Sequence, residues 1–237
     1  MAEEIESFLE DGKRLDGREL DELREMEAEA SLLKRADGSG YFRMGDTEAV
    51  AAVYGPRELH PQHLQDARKA LLRCRYNLAP FSTEDRVRPG PSRRATEINK
   101  VIKEALSPVV FLERYPNAVV DVYMEVISAD AGTRCVALNA ASIALADAGI
   151  PMKSIISACA AGKIDGKPAL DIMGEEDKYG EVDLPIALNP DNDEITLLQM
   201  DGIADLDEIK EIMELAKQGC REVSKVQKKA LRESFDG

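Results

Sequence analysis

Residues 119–148 read VVDVYMEVISADAGTRCVALNAASIALADA, and this stretch decides the fold. Residues 119–128 are rich in valine, tyrosine and isoleucine, a composition that favours a β-strand. Asp130–Arg134 is interpreted as a turn, and Cys135–Ala148 as a helix that ends before Pro151. The sequence therefore predicts a strand, a turn and a helix in direct succession.

Two periodic patterns precede this stretch. Alternating apolar residues over Leu72–Leu78 predict a strand whose other face carries Arg73 and Arg75. Apolar residues then recur at helical spacing over Ile98–Val109, with charged residues between them, which predicts an amphipathic helix. Between the two patterns, Ala79–Ser92 is rich in proline, glycine and charge. It is expected to be a long surface loop of the kind that is usually functional.

The N-terminal quarter predicts a short helix followed by an antiparallel meander. Residues 1–24 are polar and charged, and only a short helix around Ile5–Leu9 is expected there. Apolar and polar residues alternate over Glu25–Leu32, which predicts a half-buried strand. Gly38–Gly40 is interpreted as the turn into a second strand, and Thr47–Tyr54 as a third.

The C-terminal third predicts two strand pairs and a long helix. Asp165–Gly166 is a strong hairpin signal between two β-rich runs. A second strand pair is expected from Val182–Leu188 and Glu194–Met200, and an apolar stripe predicts a helix over residues 205–233. No linker divides the chain, so we expect a single α+β domain over residues 1–237, with helices packed on mixed β-sheets.

The composition excludes several classes of protein. With 44% hydrophobic and 32% charged residues, the chain has the balance of a folded globular protein. Its net charge of −14 argues against a generally basic nucleic-acid binder. Four dispersed cysteines without a C-x-x-C pair favour a reducing compartment over a zinc site. No apolar run approaches the roughly 20 residues of a spanning helix, so a cytoplasmic protein outside the membrane is expected.

Charge is nevertheless segregated along the chain. Nine basic residues, eight of them arginine, stand against four acidic residues between Arg57 and Arg94, whereas residues 171–194 hold nine acidic residues and one lysine. Arginine suits phosphate oxygens, and carboxylates hold a divalent cation beside a phosphate. Solvated faces are the alternative interpretation of both segments. If the two segments converge in space, they predict phosphate chemistry.

Two predicted helix starts carry features of anion sites. In Asp130–Arg134, glycine permits close approach to the backbone, and the N–H groups at a helix start favour an anion. In Pro91–Arg94, Ser92 is a suitable N-cap, and the arginines lie at the positive end of the helix dipole, where helix stability prefers acids. A plain capped turn is the alternative for the glycine–threonine pair.

Four motifs follow the order and spacing of the ribonuclease PH family, which the chain resembles over nearly its whole length. They are K-R-L-D-G-R (13–18), P-S-R-R (91–94), A-D-A-G-T-R (129–134) and E-D-K-Y-G-E-V-D-L-P (176–185). Within that family, residues 81–84 and 144–151 are most similar to the catalytic subunits of the archaeal exosome.

The resemblance implies a fold, an activity and partners. The fold would be the ribonuclease PH fold, a ribosomal protein S5 domain 2-like arrangement. The activity would be phosphorolytic 3′→5′ degradation of single-stranded RNA, in which inorganic phosphate as co-substrate releases nucleoside diphosphates and the reverse reaction adds a 3′ tail. Such subunits form a trimer of heterodimers with an inactive paralogue, a six-membered ring capped by RNA-binding subunits with S1 or KH domains.

The resemblance also assigns roles to residues at matching positions. The inorganic phosphate site consists of Gly132, Thr133 and Arg134. The pair that grips RNA phosphates near the scissile bond is Arg93 and Arg94. The acidic pair that supports catalysis is Asp177 and Asp183, to which we also assign a Mg²⁺ or Mn²⁺ ion. The general-acid role stays open between these two carboxylates, with Asp177 favoured. Cations are required because phosphate and RNA are both anions.

Five further residues are weighed individually. Arg73 and Arg75 are either additional RNA contacts or part of a solvated strand face. Tyr76 lies on the apolar face of the same strand, which favours core packing over base stacking. His60 and His63 match no motif and are expected to have no catalytic role.

Two alternative functions stay open: a non-catalytic scaffold subunit of the ring, and a homohexameric ribonuclease PH that trims tRNA. Scaffold paralogues typically lack parts of the phosphate site or of the acidic pair, and both are intact here. A homohexamer would need no partner, so assembly distinguishes the second alternative. No G-x-x-x-x-G-K-[ST] sequence occurs, which excludes a P-loop enzyme.

Overall fold

The computed structural model describes residues 7–10 and 12–236, and within them the chain forms twelve strands and four α-helices. The strands are β1 (Leu9–Glu10), β2 (Lys13–Arg14), β3 (Met26–Ala30), β4 (Gly38–Met44), β5 (Thr47–Glu58), β6 (Leu71–Leu78), β7 (Ala118–Ser128), β8 (Ser157–Ile164), β9 (Lys167–Leu170), β10 (Val182–Asn189), β11 (Glu194–Leu198) and β12 (Asp201–Gly202). The helices are α1 (Arg93–Leu106), α2 (Thr133–Asp147), α3 (Gly174–Tyr179) and α4 (Leu206–Asp236).

The first large sheet has the strand order β3-β4-β5-β7-β6. The strands β3, β4 and β5 pair antiparallel in sequence order, which confirms the predicted meander. The edge strand β6 runs parallel to β7, and α1 makes the crossover between them, because parallel neighbours need a long connection. Residues 79–92 between β6 and α1 form no regular element, as their composition predicts.

The second large sheet has the order β11-β10-β8-β9, with β12 paired to β10. Asp165 and Gly166 both adopt positive φ, at 47° and 73°, and close the β8–β9 hairpin as predicted. Pairing of β10 with β11 confirms the second predicted strand pair. The short strand β12 places Asp201 opposite Asp183 of β10, a pairing with no signal in the sequence.

The helix α2 packs against strands of both large sheets, and every residue from Cys135 to Leu145 is buried. This position explains why the prediction of a turn at Gly38–Gly40 is wrong. Both glycines lie in β4 beneath α2, where a Cβ on Gly38 would collide with the backbone of Ala148 and one on Gly40 with that of Ala140. The glycines therefore allow close helix–sheet packing instead of a turn.

The C-terminal helix packs on both large sheets, and the first described residues lead into a short strand. The predicted C-terminal helix is confirmed as α4, which lies against β8, β9, β10 and β3. Part of the predicted N-terminal helix falls on residues 1–6, outside the described residues, while Leu9 belongs to strand β1 and so contradicts the rest of that prediction. Among the described residues, no helix is both long enough and apolar enough to cross a membrane.

Candidate active site

A cleft of about 390 Å³ opens where α1, α2, α3 and β10 approach one another. Six of the residues that the sequence singled out line this cleft, although they come from four separate segments of the chain: Arg94, Gly132, Thr133, Arg134, Asp177 and Asp183. The basic and acidic segments of the sequence therefore do converge in space.

The loop of residues 130–132, for which the sequence predicts phosphate binding and which is called the phosphate-binding loop below, leads from β7 into the start of α2. Ala131 and Gly132 have φ values of 58° and 64°, and a side chain other than glycine is strained in this left-handed region. Thr47 holds the loop in this shape, because its Oγ1 donates to the carbonyl of Asp130 or Ala131 at 2.8 and 2.7 Å and accepts from Asp130 N at 2.9 Å. The first free N–H groups of α2 then follow, a favourable place for an anion.

Thr133 and Arg134 complete the anion site from the first turn of α2. The Tyr76 hydroxyl donates to Thr133 Oγ1 at 2.9 Å, so this core tyrosine, 2% exposed, also orients a cleft residue. Arg134 Nε is buried and has no hydrogen-bond partner among residues 7–10 and 12–236. An unpaired buried donor is costly, and the half-buried Arg134 side chain lines the cleft, where its guanidinium suits a bound anion.

The acidic pair comes from two elements on the opposite side of the cleft. Asp177 lies on α3, a short helix that the sequence did not reveal, and Asp183 lies on β10. Burial and, second to it, the nearby charge of Asp177 together raise the pKa of Asp183 to about 7, against the opposing charge of Arg134. Burial also raises the pKa of Asp177, against the opposing charges of Arg94 and Arg134. The acidic pair therefore shares a proton near neutral pH. Asp183 binds this proton more readily than Asp177 does.

Two acidic residues of the cleft were missed by the sequence analysis, namely Glu97 on α1 and Asp201 on β12. With them, four carboxylates and two arginines line the cleft. No motif singles out either residue, since Glu97 stands just before the apolar pattern of Ile98–Val109 and Asp201 belongs to no pattern. A cleft with this excess of acid needs added cations before it can accept two anionic reactants.

The predicted RNA-binding pair is divided by its helix. Ser92 caps α1 as expected, since its Oγ accepts from Ala95 N at 3.0 Å. Arg94 lines the cleft, whereas Arg93, one residue earlier at the exposed start of α1, does not. The two arginines are therefore unequal candidates for contact with a scissile phosphate.

Arg73 and Arg75 line a neighbouring groove of about 570 Å³ between β6, the 79–92 loop and α1. Arg73 is already paired with Asp121, which also binds Arg57 and is 1% exposed. Arg75 projects from the exposed face of the strand. The structure therefore places both residues beside the cleft and not within it.

In this cleft a helix start suited to an anion lies beside two carboxyl groups of raised pKa, an arrangement typical of an enzyme that uses phosphate. The chain belongs to the ribonuclease PH family of 3′ exoribonucleases. Residues 22–151 match the family's domain 1, and residues 154–219 match its domain 2. The family, the fold class and the class of enzyme expected from the sequence are thereby confirmed.

Several archaeal proteins are similar along their whole length. The exosome complex component Rrp41 of Methanopyrus kandleri is 55% identical over 238 residues, covering 100% of both chains. The Rrp41 proteins of Thermococcus kodakarensis and Archaeoglobus fulgidus are 54% and 53% identical, covering 95% and 97% of this chain and 91% and 90% of theirs. The crystal structure of rice Rrp46 has a TM-score of 0.83 at 23% identity, covering 92% of this chain and 100% of that one, which supports the fold.

Proposed function

We propose that this chain is the catalytic subunit of an archaeal exosome ring and degrades single-stranded RNA phosphorolytically from its 3′ end. The observation that carries the proposal is that the start of α2, with Gly132, Thr133 and Arg134, lines one cleft with Asp177 and Asp183. The names of its archaeal relatives support the place in an exosome.

In the proposed reaction, Gly132, Thr133 and Arg134 hold inorganic phosphate as the nucleophile. A phosphate oxygen forms a bond to the phosphorus of the terminal phosphodiester, and the bond from that phosphorus to the 3′ oxygen of the preceding nucleotide breaks. The product is a nucleoside diphosphate, and the shortened RNA needs a proton on its new 3′ hydroxyl. Asp183 supplies this proton, because a pKa of about 7 leaves a large share of the group protonated at neutral pH. The reverse reaction adds nucleotides to a 3′ end.

The donor set of the cleft fits Mg²⁺ or Mn²⁺ as an aid to this reaction. Two carboxylates in one cleft are the usual protein share of a magnesium site, where water and substrate phosphates supply the other ligands. No group of three such side chains that could hold a metal by itself occurs among residues 7–10 and 12–236. Asp177 would hold the ion while Asp183 carries its proton, and both carboxylates would hold it once Asp183 has given that proton up. When bound, the ion offsets the negative charge of the phosphates.

RNA is proposed to reach the cleft along the neighbouring groove that Arg73 and Arg75 line. Tyr76 and Gly90 line both the larger groove and a small pocket beside it, and Arg94 lines both that pocket and the cleft. Arg75 and Arg88 lie along this connected path. Arginine side chains along a groove suit a single-stranded phosphate backbone.

The assembly is proposed to be the six-membered ring in which the chain alternates with an inactive paralogue as a trimer of heterodimers. RNA-binding cap subunits with S1 or KH domains would deliver the RNA. We place the complex in the cytoplasm, without membrane association, and treat the chain as one ribonuclease PH-type domain. Carboxylates outnumber arginines in the lining of the cleft. This excess agrees with a site that receives further cations from outside the chain.

The direct test uses a 5′-labelled single-stranded RNA with Mg²⁺, with and without inorganic phosphate, on the chain alone and with the paralogous subunit. We expect phosphate-dependent shortening that releases nucleoside diphosphates. Asp177→Asn should abolish this shortening and leave RNA binding largely intact, because the carboxylate acts on the reaction and not on the distant RNA backbone. Full activity of this variant would contradict the catalytic assignment, and no shortening in an assembled ring would favour the scaffold function.

Arg94→Ala is expected to weaken RNA binding more than Arg93→Ala, since only Arg94 lines the cleft. Loss of one phosphate contact should reduce the slope of log K against log salt concentration by about 0.7 for single-stranded RNA. Fluorescence anisotropy across a salt series measures both effects. Arg221→Ala, which changes an exposed arginine of α4 paired with Asp193, serves as the control. Equal slopes for Arg94→Ala and Arg221→Ala would show that Arg94 does not bind phosphate.

A further inference from the structure

The side chain of Arg24 lies beneath the phosphate-binding loop. The residue is buried, with 8% of its surface exposed. Its Nη1 donates to the carbonyl oxygen of Asp130 at 2.7 Å. Its Nε and Nη2 grip both carboxylate oxygens of Asp171 at 2.8 and 2.7 Å, and its backbone N–H donates to Asp171 as well. One guanidinium therefore links two segments that are about forty residues apart in the chain.

At the first of these segments, Arg24 acts on the shape of the phosphate-binding loop. The loop contains a non-glycine residue, Ala131, in the left-handed region, and such a conformation persists only where its surroundings hold it. Arg24 and Thr47 both bind the carbonyl of Asp130, immediately before Ala131. Nη2 of Arg24 also lies 3.4 Å from the position that a Cβ on Gly132 would take. Arg24 thus supports the loop from below.

At the second segment, Arg24 acts on the approach to α3. Asp171 is 1% exposed and stands three residues before Gly174, the first residue of the helix that carries Asp177. The loop and this helix also touch directly, because a Cβ on Gly174 would overlap the carboxylate of Asp130. The distance between the anion site and Asp177 therefore depends on a packed contact that Arg24 holds at both ends.

We propose that Arg24 is a positioning residue of the active site, which sets the phosphate-binding loop against α3 through its simultaneous contacts with Asp130 and Asp171. This inference rests on the proposed function, since it treats the loop as the site of inorganic phosphate. Arg24 itself does not line the cleft and needs no contact with a reactant. Its effect is geometric, because a displacement of about 1 Å can cost roughly a hundredfold in a reaction that depends on alignment.

The test compares Arg24→Lys with Arg18→Lys in the full chain. Arg18 is a matched control, because it is also 8% exposed and binds Asp171, through the carbonyl oxygen at 3.2 Å and the carboxylate at 3.4 Å. Its hydrogen bonds to the described residues do not include one to the phosphate-binding loop. Lysine keeps the charge but loses the planar fork that reaches two partners at once. Both variants are expected to lower the melting temperature, and only Arg24→Lys is expected to weaken phosphate binding.

Two measurements separate the outcomes. Isothermal titration with inorganic phosphate should give a Kd roughly 10- to 100-fold higher for Arg24→Lys than for Arg18→Lys, and phosphorolysis in the assembled ring should show the same rise in KM for phosphate. Equal phosphate affinities in the two variants, or no phosphate binding by the unaltered chain, would overturn the inference. Phosphate binding without any phosphorolysis would instead overturn the proposed function while the Kd comparison still tests Arg24.

Gly174→Ala provides a second route if Arg24→Lys does not fold. The added methyl group pushes on the Asp130 carboxylate without removing a charge or a hydrogen-bond donor. It should therefore weaken phosphate binding in the same direction as Arg24→Lys. An unchanged Kd in a folded Gly174→Ala chain would show that the contact between the loop and α3 does not govern phosphate binding.

Discussion

Asp183→Asn should reduce phosphorolysis by roughly 10²- to 10⁴-fold, the usual contribution of a positioned proton donor, and should at the same time stabilise the metal-free chain above pH 7. The gain in stability follows from the pKa of Asp183, which burial raises from 3.8 to about 7. Keeping this group ionised in the folded state costs free energy that asparagine does not incur. A shift of about three units corresponds to at most about 4 kcal/mol.

The sign of the pH dependence follows from where the proton is held. The folded chain holds the Asp183 proton more tightly than the unfolded chain, so folding is favoured at low pH and loses stability as the pH rises from about 4 to about 7. Asp183→Asn removes this loss. Its advantage should be greatest at pH 8, with a melting temperature higher by roughly 5–10 °C, and should vanish near pH 4.

Thermal melts in EDTA across this pH range test the prediction, and Asp191→Asn is a control of opposite sign. Hydrogen bonds from Ser154 and Lys228 lower the pKa of Asp191, so its carboxylate favours folding at neutral pH and asparagine should destabilise there. An Asp183→Asn chain that is less stable than the unaltered chain at pH 8 would contradict the prediction. It would mean that the carboxylate is better compensated than its burial indicates.

Patterns with a clear period predicted the elements of the fold, while close contacts between distant segments escaped prediction. The β8–β9 hairpin and α4 follow from an Asp-Gly turn and an apolar stripe, both local signals. The helix α3 has six residues and no periodic signal, because it is stabilised by Arg14, far away in the chain. Likewise, Gly38 is required by a helix that packs on it, a reason that no neighbouring residue reveals.

In the candidate site, too, local motifs could be recognised in the sequence and contacts between distant segments could not. Arg134 stands in a motif with a chemical rationale of its own, whereas Asp177 was singled out from an acidic segment by the resemblance to the ribonuclease PH family. The structure places both in one cleft. Asp201 stands in no motif and enters the cleft only because β12 pairs with β10. The pairing of Arg73 with Asp121 was equally inaccessible, since strands β6 and β7 are neighbours in space and separated by α1 in the chain.

Glu176→Ala is expected to destabilise the chain by about 3–5 kcal/mol, because it leaves the charge of Arg14 buried without a partner. The side chains of the two residues are 0% and 2% exposed, and Arg14 Nε donates to Glu176 Oε1 at 2.8 Å. Glu176 also accepts from Met173 N at 2.9 Å and so caps α3. The melting temperature should fall by roughly 10 °C, and activity should fall with it because Asp177 is the next residue.

The double variant Arg14→Met, Glu176→Met separates stability from alignment. Replacing a buried ion pair by apolar residues is often neutral or stabilising, so much of the lost stability should return. The return is incomplete, because Arg14 also donates to the carbonyls of Leu170 and Asp171 at 2.6 and 2.9 Å. Phosphorolysis should not return, because α3 loses both the cap and the tether that orient Asp177. Recovery of activity along with stability would show that the pair serves folding alone.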